Sequence, residues 1–450
     1  MAHLHIWRTD DAAFDHRFQS LMRKLSLDEG LRASTQAAGE PVEETVRRIL
    51  ADVRARGDEA LIEGIERFDG CRLEPGELRV RPEEIEGAVA RSPAALVDAL
   101  TLAAERIRRF QESILPRVPK PTDDRGRVLS VRYRPVRSAA VYIPGSSASL
   151  ASSVLMTAVP ARVAGVRRIA MATPARPDGT VSDDRLLAAH LAGVHEVYRL
   201  GGAYAIGALA YGTASVPAVD FIVGPGNAYV NAAKRQVFGQ VGIEMLAGPS
   251  EVVIIADASA DAECAAADML AQAEHNPGSA VLLTDRESFA EDTLRAIKAQ
   301  LAGLPHPDAA RRCLSEYGAV IVCRSIDECA EVADRLAPEH LQIMTGDPEA
   351  VAEKVCNAAA VFVGLYTPVA VGDYVAGPSH TLPTSRTARF ASGLSANDFL
   401  RRVAVIRYDR TALEDDAQTI ARLARTEGLE GHARSVEVRM LPGREAPPAR

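Results

Sequence analysis

The feature that most constrains this chain is an alternation of short apolar runs with helical stretches of about ten residues. In the middle of the sequence the apolar runs fall at 139–143, 168–172, 194–200 and 219–223. Helical patterns lie between them at 152–163, at 183–191 and after Gly201-Gly202. The alternation resumes after Pro249, with runs at 251–256, 280–284, 319–323 and 360–363. Strands spaced by helices read as βαβ units, and hence as parallel sheets covered by helices. Two interruptions give the arrangement its outline. From Pro41, Val42, Val46, Ile49, Leu50 and Val53 recur at helical intervals, and a second helical stretch covers 82–109 with a break at Ser92-Pro93. The first thirty residues carry no sustained core pattern, residues from Ser395 onward read as short-ranged and polar, and the tail from Gly443 reads as disordered.

The expected fold class is therefore α/β, with two Rossmann-like three-layer units, one of them incomplete and inserted in the other. The expected boundaries are an N-terminal arm at 1–35, a large discontinuous domain at 36–140 and 252–393, an incomplete Rossmann-like domain at 141–251 and a C-terminal segment at 394–450. A chain of 450 residues, about three times a typical domain, accommodates such a division.

Composition removes several functional classes. Fifty-two basic against 60 acidic residues leave a net charge of −8 with no basic stripe, which argues against nucleic-acid binding. No apolar stretch reaches the ~20 residues of a membrane-spanning helix. The opening residues lack the apolar core of a signal peptide, and the six cysteines are far apart with no CxxC pair, so a cytoplasmic location with reduced thiols is expected.

The ten histidines are more informative. Four occupy turns or helix ends beside carboxylates or amides: His275 after Gln272 and Glu274, His340 after Pro338-Glu339, His380 after Asp373 and Gly377-Pro378, and His432 after Glu427 and Glu430. Gln272 and His275 share one face of a helix end and suit a common ligand, or they simply form a polar terminus stopped by Pro277. Glu339-His340 suits general acid–base work, or is a satisfied pair following a helix end. Gly224-Pro225-Gly226-Asn227 follows a strand and opens a helix; it could hold a pyrophosphate on backbone N–H groups, or be a plain turn. HExxH and GxGxxG are both absent.

Taken in order, 224–230, 232–237, 247–252, 272–275, 337–341 and 372–384 resemble the histidinol dehydrogenase family, with matching spacing from about residue 130 to 436. The resemblance implies oxidation of L-histidinol to L-histidine through the aldehyde, with NAD and one zinc ion per subunit. By position it implies zinc ligands Gln272, His275, Asp373 and His432. It also implies His340 as the base for the alcohol proton and Glu339 as the base that activates water. Substrate contacts would be Ser250, Gln272, His275, His340, Asp373, His380, Glu427 and His432, and cofactor contacts Tyr142, Tyr204 and Asn227. The family is homodimeric, so Glu427 and His432 would come from the other subunit. Three positions depart from the family: Tyr204 replaces a glutamine, Ser146 a glycine and Ser379 an asparagine. The alternatives are a paralogue that oxidises another small alcohol, a zinc hydrolase and a non-catalytic binding protein.

Overall fold

Strands buried on both faces fix the layer plan. All seven residues of Gly278–Thr284 are buried, as are six of the seven in Ser250–Ala256, so helices must cover both sides. The structure is a computed structural model that describes residues 4–26, 40–145, 150–194, 196–275 and 278–442. Residues 27–35 of the expected arm, Ser146, Pro277 and the tail from Gly443 lie outside the described residues. Two compact units divide the chain: one comprises Met1–Leu115 and Val136–Phe399, the other Pro116–Pro135 and Leu400–Arg450.

The first unit holds two parallel sheets. The larger has six strands in the order Ile6–Arg8, Ala319–Val322, Gly278–Thr284, Ser250–Ala256, His340–Met344, Ala360–Val363. Val252, Ile254 and Ala256 face the helices Ala262–Ala273, Glu287–Leu301 and Pro307–Tyr317. On the opposite face, Val253 and Ile255 meet the helices Phe14–Lys24 and Ile326–Leu336. The smaller sheet has five strands in the order Glu196–Arg199, Arg168–Thr173, Ser138–Tyr142, Phe221–Val223, Gly242–Ile243. In each sheet the strand order reverses beside the first βαβ strand, at Ser138–Tyr142 and at Ser250–Ala256.

Three expectations are corrected. The helices Val42–Arg56 and Asp58–Asp69 pack on the smaller sheet, not the larger, because Val42, Val46, Leu50 and Val53 mesh with the alanine-rich helix Gly202–Tyr211. The helices Pro82–Arg91 and Ala94–Ser113 likewise contact Asp183–Ala192 and Ala151–Val163 of that sheet. Residues 4–26 are no loose arm, since Ile6–Arg8 pairs with Ala319–Val322 and Phe14, Phe18 and Leu21 seal the larger sheet.

The third correction concerns the second unit. The expected short-ranged segment contains the nine-residue strand Leu400–Tyr408, paired antiparallel with Arg127–Pro135, and the 17-residue helix Arg410–Thr426. A third strand, Thr122–Asp124, and the helix Glu430–Glu437 complete this unit. Arg425 pairs with both Glu430 and Glu437 and folds the last helix onto the one before it.

Candidate active site

Two strand beginnings in the larger sheet bring the main candidates together. The helix Ile326–Leu336 ends at Ala337, whose φ of 48° lies in the left-handed region, and Pro338 cannot continue it. The chain therefore enters the strand His340–Met344 with Glu339 just ahead of it, beside Ser250 at the start of the central strand. Ser250 Oγ donates to Glu339 Oε2 at 2.7 Å, and the Glu251 N–H donates to the same oxygen at 2.8 Å. Glu339 is buried, which pushes its carboxyl up to about 7, while these two donors favour the ionised form and hold it from rising further.

The same Glu251 backbone orients the histidine. Its carbonyl accepts from His340 Nδ1 at 2.9 Å, which assigns the proton to Nδ1 and leaves the Nε2 lone pair free. Burial holds the His340 imidazole below its usual value, so it is neutral and basic near pH 7. Phe362 lies against the ring, with centroids 5.8 Å apart.

Asp373 and His380 form a second group. The carbonyl of Asp373 accepts from His380 Nδ1 at 3.0 Å, so His380 Nε2 accepts from Ser153 Oγ at 3.1 Å. Burial lowers His380 to about 4, keeping it neutral, and raises Asp373. Ser379, one of the three departures, donates to the Met156 carbonyl at 2.9 Å and anchors this loop to the helix Ala151–Val163.

Gln272 ends the helix Ala262–Ala273, and the His275 N–H donates back to its carbonyl at 3.2 Å. A Cβ on Gly278 would lie 2.7 Å from the Gln272 carbonyl and 2.8 Å from that of His275. Glycine is what lets the helix end sit against the strand start. Gln272 is buried and its Nε2 has no hydrogen-bond partner among the described residues. Desolvation lowers the His275 imidazole although one face is exposed, and the charges of Glu339 and His340 act on it. His380 in turn feels His340 and His275, so all these groups occupy one electrostatic neighbourhood.

Ser250, Gln272, His275, Glu339, His340, Asp373 and His380 thus belong to the first unit, at the amino ends of the larger sheet's strands. That is opposite to the carboxyl-end crevice where parallel sheets usually bind ligands. Glu427 and His432 are exposed residues of the second unit. Among the described residues no three His, Cys, Asp or Glu side chains converge as a metal site; the first unit offers an imidazole, a carboxylate and the Gln272 amide.

The candidate cofactor residues sit at the carboxyl ends of the smaller sheet. Tyr142 is buried, its hydroxyl accepts from the Gly202 N–H at 3.0 Å, and burial pushes it up to about 12. Tyr204 packs over Gly64 and against Phe68, with the two rings 6.1 Å apart. Asn227 Oδ1 accepts from the Tyr229 and Val230 N–H groups at 3.1 Å each. Those helix-start donors are therefore used internally, and the plain capped turn, rather than an open pyrophosphate hole, describes this junction. Beside it, Asn231 Oδ1 and Glu244 Oε2 are buried acceptors without donors among the described residues.

Glu251 is a site residue that sequence reasoning left unassigned. A carboxylate inside the apolar run 251–256 was the available signal. Its Oε1 accepts from the Ser385 N–H at 2.8 Å, and burial raises it to about 8.

Comparison with known proteins points to one family. A family model described as histidinol dehydrogenase matches residues 32–440. A histidinol dehydrogenase from Prochlorococcus marinus (strain MIT 9313) is 51% identical over 396 residues, covering 88% of this chain and 89% of that protein. One from Gluconobacter oxydans (strain 621H) is 48% identical over 433 residues, covering 96% and 98%. The crystal structure of histidinol dehydrogenase from Elizabethkingia anophelis superimposes with a TM-score of 0.89 at 32% identity, covering 97% of this chain and 98% of that one.

Proposed function

The chain belongs to the histidinol dehydrogenase family, and from that premise we propose how its residues carry out the NAD-dependent oxidation of L-histidinol to L-histidine, the last steps of histidine biosynthesis. The observation that carries the reading is the backbone of Glu251, which holds Glu339 on its N–H and His340 on its carbonyl and so presents two bases side by side.

His340 Nε2 takes the hydroxyl proton as hydride leaves the adjacent carbon, giving the aldehyde. Glu339, with Oε1 unpartnered among the described residues, takes a proton from water as it adds to the aldehyde. The resulting hydrate anion then gives up a second hydride and its one remaining hydroxyl proton, leaving the carboxylate. A carboxyl near 7 is matched to this work, since it is ionised often enough to accept a proton and basic enough to keep it.

Gln272, His275 and Asp373, with His432 from a second copy, would hold zinc; Gln272 Nε2 is buried and unpartnered among the described residues, and the amide turned over would put its oxygen in that place as a metal ligand. When bound, zinc supplies a Lewis-acidic anchor for the substrate's imidazole and amine, and NAD accepts the hydride. Ser250, His380 and Glu427 complete the substrate contacts. The unpaired acceptors Asn231 Oδ1 and Glu244 Oε2 suit a cofactor bearing hydroxyl and amide donors at the carboxyl-end crevice, where Asn227 is exposed. A homodimer is supported by the second unit, which exposes Leu129, Ile406, Leu423, Leu429 and Leu441. Cytoplasmic location is supported by six free cysteines; among the described residues no helix is long and apolar enough to cross a membrane.

Purified zinc-loaded protein should reduce NAD with L-histidinol and release histidine, and should reduce none with small alcohols lacking an imidazole. Turnover of another alcohol but not histidinol would transfer the function to a paralogous reaction; bond cleavage without NAD would make it a hydrolase.

A further inference from the structure

Lys234 and Glu244 form an ion pair that is 1% exposed at either side chain, with Nζ 2.8 Å from Glu244 Oε1. Lys234 lies on the helix Ala228–Val237 amid the buried Val230, Ala232, Ala233 and Val237. Placing two charges there costs several kcal/mol of desolvation that their attraction offsets only in part, so stability alone is a poor reason for the pair. Its geometry gives a better one.

Both backbone polar groups of Gly224 end on this pair. The Gly224 N–H donates to Glu244 Oε1 at 2.7 Å, and the Gly224 carbonyl accepts from Lys234 Nζ at 3.1 Å. Gly224 has φ of 125°, and a Cβ there would lie 2.1 Å from the Tyr142 carbonyl. The pair therefore pins the backbone of Gly224, which leaves the strand Phe221–Val223 and lies against the end of its neighbour Ser138–Tyr142, where the order of the smaller sheet reverses. That reversal is the place where a parallel sheet opens its ligand crevice. The clamp also reaches the larger sheet. Asn231 Nδ2 donates to the Ala247 carbonyl, and the Gly248 N–H donates to Thr384 Oγ1, two residues before Ser250. Segment 244–250 thus runs from the clamp to the catalytic strand, fixed along its length.

We propose that Lys234 and Glu244 are positioning residues for the dinucleotide, holding the 224–227 loop and the 244–250 segment so that cofactor and substrate meet at a set distance. The inference rests on the NAD reading above. Glu244 Oε2 and Asn231 Oδ1, buried and without donors among the described residues, lie on the two residues that make these connections. Glu244 is thereby placed to accept from a cofactor hydroxyl or amide once the loop is held.

The test is the near-isosteric, uncharged double variant Lys234→Met/Glu244→Gln, with Glu244→Gln alone as a second variant that keeps the side-chain shape. NAD binding is measured by calorimetry, zinc content by metal analysis and unfolding by a thermal scan. The expected result is NAD binding at least tenfold weaker and a raised KM for NAD, with zinc content and melting temperature close to wild type. NAD binding within twofold of wild type in a folded variant overturns the proposal. If the double variant does not fold, Glu244→Gln decides by the same tenfold and twofold criteria. Wild-type protein that binds no NAD at all would instead overturn the cofactor reading, and the proposal with it.

Discussion

Among the described residues Ser250 Oγ is one of two donors on the carboxylate of Glu339, so its removal has a directional consequence. A donor to the ionised form lowers a carboxyl's pKa; without it, burial pushes Glu339 above about 7. In Ser250→Ala the rising limb of the pH profile for oxidation of the aldehyde should therefore move to higher pH, with a loss of order tenfold at neutral pH. Profiles of kcat/KM against pH for both proteins check this, and an unmoved or lowered limb would contradict it. At this scale the sequence was legible where a reactive residue type stood out of pattern. His340 after Pro338 and His275 after Gln272 were visible because histidine is scarce. The backbone of Glu251 was not, because backbone groups carry no sequence signature and only folding aligns its N–H and carbonyl with two different side chains. Tyr142 and Tyr204 were visible as residues, yet their packing on Gly202, Gly64 and Phe68 was not, since each partner is sixty or more residues away.

Secondary structure was most legible where burial enforces a period. The runs that became Ser138–Tyr142, Arg168–Thr173 and Gly278–Thr284 are apolar throughout because helices cover both faces. Leu400–Tyr408 escaped notice for the reverse reason: most of its residues are exposed, so no apolar period marks it. Helix Arg410–Thr426 buries only Ala412, Ala421 and Ala424, too few to write a stripe. A prediction at this scale concerns the junction of the helix Ala262–Ala273 with its following strand. Gly278→Ala places a methyl 2.7 Å from the Gln272 carbonyl, a backbone atom that can yield only if the helix end moves. The variant should lose about 1–3 kcal/mol of stability and bind zinc more weakly, read by thermal unfolding and metal titration. Normal zinc affinity would mean that the helix end does not set the Gln272–His275 geometry.

At the scale of the whole molecule, two sheets were legible in the sequence, but not which helices serve which. Assigning 42–113 to the smaller sheet required knowing that the valine and leucine stripe of Val42–Arg56 fits the small side chains of Gly202–Tyr211, a match of shapes rather than of composition. In the dimer proposed above, Glu427 and His432 of the second unit, whose surface exposes several apolar residues, complete the site of the other copy. Coexpressing His275→Ala with His432→Ala should then regenerate activity, because half of a random dimer population carries one intact site, giving about a quarter of wild-type activity. Two inactive parents with an inactive mixture would assign each site to a single chain.

The central claim is that one site performs two successive oxidations with Glu339 and His340 as its bases. It is tested most directly by counting reduced cofactor against histidine in a reaction started with L-histidinol and excess NAD. Two NADH for every histidine, with no aldehyde accumulating, is the predicted result. One NADH for every L-histidinol consumed, with the aldehyde released as the product, would contradict it.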